Sequence, residues 1–102
     1  MENYWFIYDS YKYAGAPKME KAVMAVAETY MHRLIKEDDL PKLVAHLNKI
    51  QDMVWEDNKR LKKVDIRLSV GKYWRNDNII YLYIGDQRLT LKKVAGTMRF
   101  ED

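Results

Sequence analysis

The sequence predicts one α+β domain spanning residues 1–102, in which a helical hairpin covers one face of an antiparallel sheet in the order β-α-α-β-β-β. Three observations support this prediction. Apolar residues recur every three or four positions from residue 17 to residue 58, which indicates helices. They recur at every second position from residue 64 to residue 92, which indicates strands. A run of aromatic and β-branched residues over 3–8 indicates a further strand before the helices.

The two predicted helices span residues 17–36 and about 39–58. Pro17 suits the first turn of a helix, because the N–H that it lacks would have no partner there. Asp38 or Asp39 can cap the second helix, whose first turn contains Pro41. The very short link between the helices predicts an antiparallel pair. The residues expected to face the sheet include Val23, Val26, Leu34, Leu43, Leu47, Ile50 and Val54.

A tight hairpin is predicted to join the strands at residues 79–84 and 88–92, since Gly85 and Asp86 form a two-residue turn signal between them. This turn sets the register of the two strands. On the apolar face, Ile84 faces Gln87, Leu82 faces Leu89 and Ile80 faces Leu91. On the other face, Tyr83 faces Arg88, Tyr81 faces Thr90 and Ile79 faces Lys92. Turn chemistry and apolar alternation agree, which favours this register.

The connection from the preceding strand, residues 64–70, needs either an odd number of loop residues or a bulge at Gly71. Without one of these, the apolar side chains of that strand would lie on the polar face of the next strand. With an odd loop or a bulge, Val70 joins Ile84 and Trp74 joins Ile80 on the apolar face, and Tyr73 lies beside Tyr81 on the opposite face. The sheet edge taken by the N-terminal strand is left undecided.

The face of the sheet opposite the helices is the predicted binding site, because tyrosine and arginine dominate the energetics of protein interfaces. Monomers rarely leave an aromatic patch of this kind without a use. The candidate partner-binding residues are Arg67, Tyr73, Tyr81, Tyr83 and Arg88, together with Tyr11 and Tyr13 in an expected loop after the first strand. The leading hypothesis is a non-catalytic protein-binding domain that acts by surface occlusion. Its brevity, aromatic content and lack of cysteine are similar to those of small inhibitors that phages and mobile elements direct at host machinery.

Two other interpretations of the same face are kept. Nucleic acid is the alternative partner, with bases on the aromatic rings and phosphates on cations. Residues 1–58 hold seven Lys and Arg against ten Asp and Glu, whereas residues 59–102 hold eleven against five, which favours an anionic partner for the second half. The candidate nucleic-acid contacts are Lys59, Arg60, Lys62, Lys63 and Lys92. In the third interpretation the face only stabilises the sheet, or the N-terminal segment folds over it.

Several classes of chemistry lack support in the sequence. The absence of cysteine excludes disulfides, thiolate metal sites and thiol nucleophiles. Neither a G-x-S-x-G elbow nor a glycine-rich phosphate loop is present, so no enzyme activity is expected. His32, His46 and Glu28 lack the spacing of a metal-binding motif, so we expect no metal and no cofactor. No apolar run approaches the ~18 residues of a membrane span, and we expect a cytoplasmic protein.

Overall fold

Five strands, two α-helices and one turn of 3-10 helix make up the described part of the chain, which comprises residues 3–71 and 79–94 of a computed structural model. The elements are β1 (Tyr4–Tyr11), α1 (Lys18–Glu28), β2 (Ile35–Lys36), the 3-10 turn (Glu37–Asp39), α2 (Leu40–Asp57), β3 (Ile66–Gly71), β4 (Ile79–Ile84) and β5 (Gln87–Lys93). The strands form one sheet in the order β2-β1-β5-β4-β3, and each neighbouring pair is antiparallel. The predicted α+β class is confirmed.

The hairpin of β4 and β5 has the predicted register in all six of its residue pairs, from Ile84 opposite Gln87 to Ile79 opposite Lys92. Gly85 has a φ of 61°, a conformation that glycine adopts without steric cost and that the first position of this kind of turn requires. β3 presents the predicted face to β4, but the predicted register of this pair is wrong. Val70 lies opposite Ile80, and not Ile84, because β3 ends at Gly71 and β4 begins only at Ile79. Ser69 therefore takes the place opposite Tyr81 where Tyr73 was expected, and Tyr73 and Trp74 lie outside the described residues.

β1 adds to the sheet beside β5, with Trp5 opposite Lys93 and Ile7 opposite Leu91. The register shifts between Ile7 and Asp9, so the strand contains a bulge at this point. β1 then continues to Tyr11, opposite Arg88, although the sequence predicted a loop there. The prediction failed because the pairing partner, β5, is distant in sequence. The N-terminal strand therefore lies within the sheet and widens it.

The first helix ends at Glu28, well before the predicted end at residue 36. Thr29 forms its C-cap and directs its hydroxyl to the carbonyl of Val26, at 2.7 Å. The chain then turns through His32, which has a φ of 65°, and runs along the free edge of β1. The His32 N–H donates to the Ile7 carbonyl at 3.0 Å, and the Glu37 N–H donates to the Asn3 carbonyl at 2.9 Å. The backbone N–H and C=O groups at the edge of β1 thus form hydrogen bonds with this segment in place of those of a longer helix.

The core lies between the two helices and the apolar face of the sheet. Its fully buried members include Ile7, Met19, Val23, Met24, Leu47, Leu82, Ile84, Leu89 and Leu91. Val26 and Val54 pack against this cluster while half-buried. Leu34, which the helical spacing placed in the core, is 42% exposed because the helix ends before reaching it.

Candidate partner-binding face

The outer face is the side of the sheet opposite the helices. It brings together side chains from four adjacent strands, since residues opposite each other in an antiparallel pair point to the same side. Its members are Phe6, Tyr8, Asp9 and Tyr11 on β1, Arg88, Thr90 and Lys92 on β5, Ile79, Tyr81 and Tyr83 on β4, and Arg67 and Ser69 on β3.

Cations and aromatic rings alternate across the outer face. The Arg67 guanidinium carbon lies 4.5 Å from the centroid of the Tyr83 ring. The Arg88 guanidinium carbon lies 5.0 Å from the Tyr81 ring centroid and 5.9 Å from that of Tyr11. The Tyr81 and Tyr83 rings meet at a tilt, with their centroids 6.0 Å apart. All these distances lie within the range of cation–π or aromatic attraction, so the side chains hold one another in place.

A second cluster extends the pattern onto the N-terminal strand. The Lys92 ammonium lies 4.5 Å from the centroid of the Tyr8 ring. Phe6 meets Tyr8 edge to face, at a centroid distance of 6.4 Å. Between the two clusters, Thr90 is only 8% exposed, so the centre of the face is packed. Tyr8 and Tyr11 are exposed, while Tyr81 and Tyr83 are half-buried.

Three cations, Arg67, Arg88 and Lys92, and one carboxylate, Asp9, lie on the outer face. Arg67 has an ion-pair partner close by, since its Nε lies 3.1 Å from Oδ2 of Asp65. The other acidic group nearby is Asp9, opposite Thr90, whose carboxylate accepts a hydrogen bond from the Ser10 N–H at 2.8 Å. Arg88 and Lys92 are exposed and lie over tyrosine rings. A negatively charged surface would therefore meet cations whose side chains are already ordered.

Five of the candidate partner-binding residues lie together on the outer face: Arg67, Tyr81, Tyr83, Arg88 and Tyr11. Phe6 and Tyr8 join them without having been predicted, because the sequence did not show which strand β1 would pair with. Their period-two spacing did place them on one face of a strand. That signal could have identified them once the pairing was known.

Tyr13 lies apart from the outer face, near the start of α1. Its hydroxyl lies near the buried carboxylate of Glu20, on the helix side of the sheet. Loss of hydration raises the pKa of the Tyr13 hydroxyl, and the negative charges of Glu20 and Asp86 raise it further. Glu20 also accepts a hydrogen bond from the Asp86 N–H at 3.1 Å. Tyr13 thus belongs to the contact between α1 and the β4–β5 turn.

The basic run of residues 59–63 lies in a loop, because α2 ends at Asp57 and not within the run. The Lys63 ammonium lies 2.7 Å from a carboxylate oxygen of Asp52 and 4.8 Å from the centroid of the Trp55 ring. Lys59 lies over the same ring at 5.3 Å and forms an ion pair with Glu56 at 3.5 Å. The other two cations of the run, Arg60 and Lys62, are exposed.

Lys92 is not near this basic run. The run leads into β3 at Ile66, which lies level with Ile84 on β4, whereas Lys92 lies level with Ile79. Five residues along a strand correspond to about 16 Å. The candidate nucleic-acid contacts therefore divide between two ends of the sheet.

Residues 3–71 and 79–94 lack the features of two other kinds of site. They contain no group of three or more histidine or acidic side chains placed to hold a metal ion. No helix there has the length and apolar character needed to cross a membrane. Comparisons of the chain with protein-family models, with curated proteins and with solved structures each found no match.

Proposed function

We propose that this protein is a non-catalytic binding domain whose outer face covers an acidic surface of a protein partner. The observation that supports the proposal is the alternation of arginine and lysine with tyrosine across the sheet, at cation–ring distances of 4.5–5.9 Å. Tyrosine and arginine are the residues that most often dominate the free energy of protein association. A sheet face of this composition suits binding by occlusion.

The side chains of the outer face are already restricted by contacts with one another, which favours tight binding. A guanidinium held over a ring has already lost much of the side-chain freedom that association would otherwise restrict, which costs about 0.5–1.5 kcal/mol for each such side chain. Arg67 and Arg88 both meet this condition. Arginine also presents a planar fork of N–H donors that matches the two oxygens of a carboxylate. These features support a partner rich in aspartate and glutamate.

A protein fits the face better than nucleic acid does. Bases stack on free aromatic faces, whereas Tyr81 and Tyr83 each have an arginine of the same chain over the ring. A strand of nucleic acid also needs a continuous track of cations for its phosphates. In this chain Lys59 and Lys63 form ion pairs with α2, and Lys92 is distant from them.

Site-specific photo-crosslinking in extracts of the cells that produce the protein tests this proposal. A photoreactive residue in place of Tyr83 should crosslink to a protein, at a site rich in carboxylates, and nuclease treatment should not change the yield. The same residue in place of Met53, which is 59% exposed on α2, serves as the position control. Crosslinks that form equally from both positions, or that disappear with nuclease, would contradict the proposal. The second result would favour nucleic acid.

Charge reversal supplies a matched second test. The double variant Arg67→Glu with Arg88→Glu should abolish the crosslink that forms from position 83. Arg60→Glu with Lys62→Glu changes the net charge equally in the loop after α2 and should leave the crosslink intact. Both double variants should remain folded, as thermal melting will check, because each exposed ion pair or cation–π contact that is lost contributes about 1 kcal/mol or less. Equal loss in both variants would show that only the overall charge matters.

A further inference from the structure

A cleft of about 360 Å³ lies between α2 and the segment 29–36 that follows α1. The cleft exists because the chain leaves the helix after Glu28 and follows the edge of β1. Its volume is near the lower end of the range for small-molecule sites in proteins. It shares no residue with the outer face, so it is a separate candidate site.

Cationic and aromatic side chains line one side of the cleft. Arg33, on the connecting segment, has its guanidinium carbon 5.7 Å from the centroid of the Tyr30 ring. His46, on α2, meets the same ring edge to face, with the ring centroids 6.3 Å apart. Lys42 lies one helical turn before His46 and also lines the cleft. Three basic side chains from two separate segments thus face one space.

One carboxylate of the lining opposes the cations of Arg33 and Lys42. Asp39 is the acidic residue in the lining, and its carboxylate lies 3.5 Å from the Lys42 ammonium. Both side chains of this pair are largely exposed, at 46% and 81%, so the pair contributes little free energy and can exchange partners. An incoming anion would therefore compete with a weak ion pair.

The remaining lining is apolar. Leu43 is buried, and Leu34 is 42% exposed. A small apolar body placed in the cleft would cover Leu34 and remove it from water. Apolar walls with a few convergent polar groups are the usual composition of a ligand site.

We propose that this cleft binds a small organic phosphate, namely a phosphate monoester carried on a compact apolar or aromatic body. The phosphate would accept hydrogen bonds from the fork of Arg33 and from Lys42, and the body would lie against Leu34 and Leu43. A phosphate monoester suits the site better than a carboxylate does, because its three oxygens and near-double negative charge at neutral pH can satisfy several cations together.

Titration of the whole protein with phenyl phosphate, followed by NMR, tests the proposal. Saturable shifts confined to the cleft residues are expected. Arg33→Ala should weaken binding about tenfold or more, because a hydrogen bond to a charged group is lost. Asp39→Asn should tighten binding by up to about fivefold, because the competing carboxylate is removed. Lys49→Ala, an exposed change elsewhere on α2, is the control and should leave the affinity unchanged.

Two further ligands test the roles of the apolar body and of the phosphate charge separately. Inorganic phosphate should bind more weakly than phenyl phosphate, since it has no body to cover Leu34. Benzoate should also bind more weakly, since it carries one negative charge. Absence of saturable shifts with phenyl phosphate would overturn the proposal. Equal affinity for benzoate, or no loss of affinity in Arg33→Ala, would overturn it as well.

Discussion

The β4–β5 hairpin and the segment 29–36 are held in place by different kinds of contact. Six successive residue pairs and a two-residue turn join the strands of the hairpin, and all of them lie close together in sequence. The segment 29–36 is tied to β1, more than twenty residues earlier, through the hydrogen bond from His32 to Ile7 and the pairing of Ile35 with Trp5. The hairpin is thus determined locally, and the segment depends on a strand that must already be in place.

This difference has consequences for local stability. Segments with few buried apolar contacts open at a lower free energy than the core strands do. Leu82, Leu89 and Leu91 of the hairpin are fully buried, whereas Leu34 of the segment is 42% exposed. The proposed ligand cleft therefore borders the less firmly held region, and the outer face lies on the more firmly held one.

The largest expected effect contrasts two identical truncations in these regions. Leu82→Ala removes a fully buried side chain and should lower the free energy of unfolding by about 2–5 kcal/mol. Leu34→Ala should change it by about 0.5 kcal/mol or less, because the side chain is already in contact with water. Chemical denaturation of both variants measures the contrast. Equal losses would mean that the segment 29–36 is as firmly packed as the hairpin.

A smaller effect is expected at the hairpin turn. A Cβ on residue 85 would lie 2.5 Å from Cδ of Glu20, and the backbone there has a φ of 61°. Gly85→Ala should therefore cost about 1–3 kcal/mol, through backbone strain and displacement of the Glu20 side chain. Gly15→Ala is the matched control, because a Cβ at residue 15 meets no atom within 4 Å. Thermal melting of both variants gives the comparison. A neutral Gly85→Ala would show that Glu20 moves without cost.

The smallest expected effect is a pH dependence of the free energy of unfolding, caused by Tyr13 near the same turn. The pKa of Tyr13 is raised above its ordinary value of 10.0, chiefly by loss of hydration and then by Glu20 and Asp86. Above pH 10 the unfolded chain loses this proton first, so the free energy of unfolding falls as the pH rises through the folded-state pKa. In Tyr13→Phe this decline should be shallower, as measured by urea denaturation across that range. An unchanged slope would contradict the contact with Glu20.

The contrast between the hairpin and the segment 29–36 also explains how much of the fold could be predicted from the sequence. The turn at Gly85-Asp86 and the alternation around Leu82 are local signals that agree with each other, and they yielded the full register of the hairpin. The spacing of Tyr30, Leu34 and Ile35 is equally regular, but it was interpreted as helix. It failed because the free edge of β1 offers backbone partners that no local window reveals.

The candidate site divides in the same way. Tyr81, Tyr83 and Arg88 could be placed together because one hairpin carries them all. Phe6 and Tyr8 could not, since the placement of β1 beside β5 depends on packing between distant parts of the chain. The cleft near Arg33 was not predicted at all, because a continuous helix over residues 17–36 would leave no connecting segment to line it.

The pairing of β1 with β5 also constrains how the chain can fold as it is synthesised. Trp5 and Ile7 receive their neighbours on β5, Lys93 and Leu91, from the far end of the described chain. Contacts between residues so far apart in sequence slow folding, because a long loop must close before the contacts form. β4 and β5 can pair through their two-residue turn, but β1 pairs with β5 only after most of the described chain has closed into a loop. Completion of the sheet is therefore a late event that joins the two ends of the described chain.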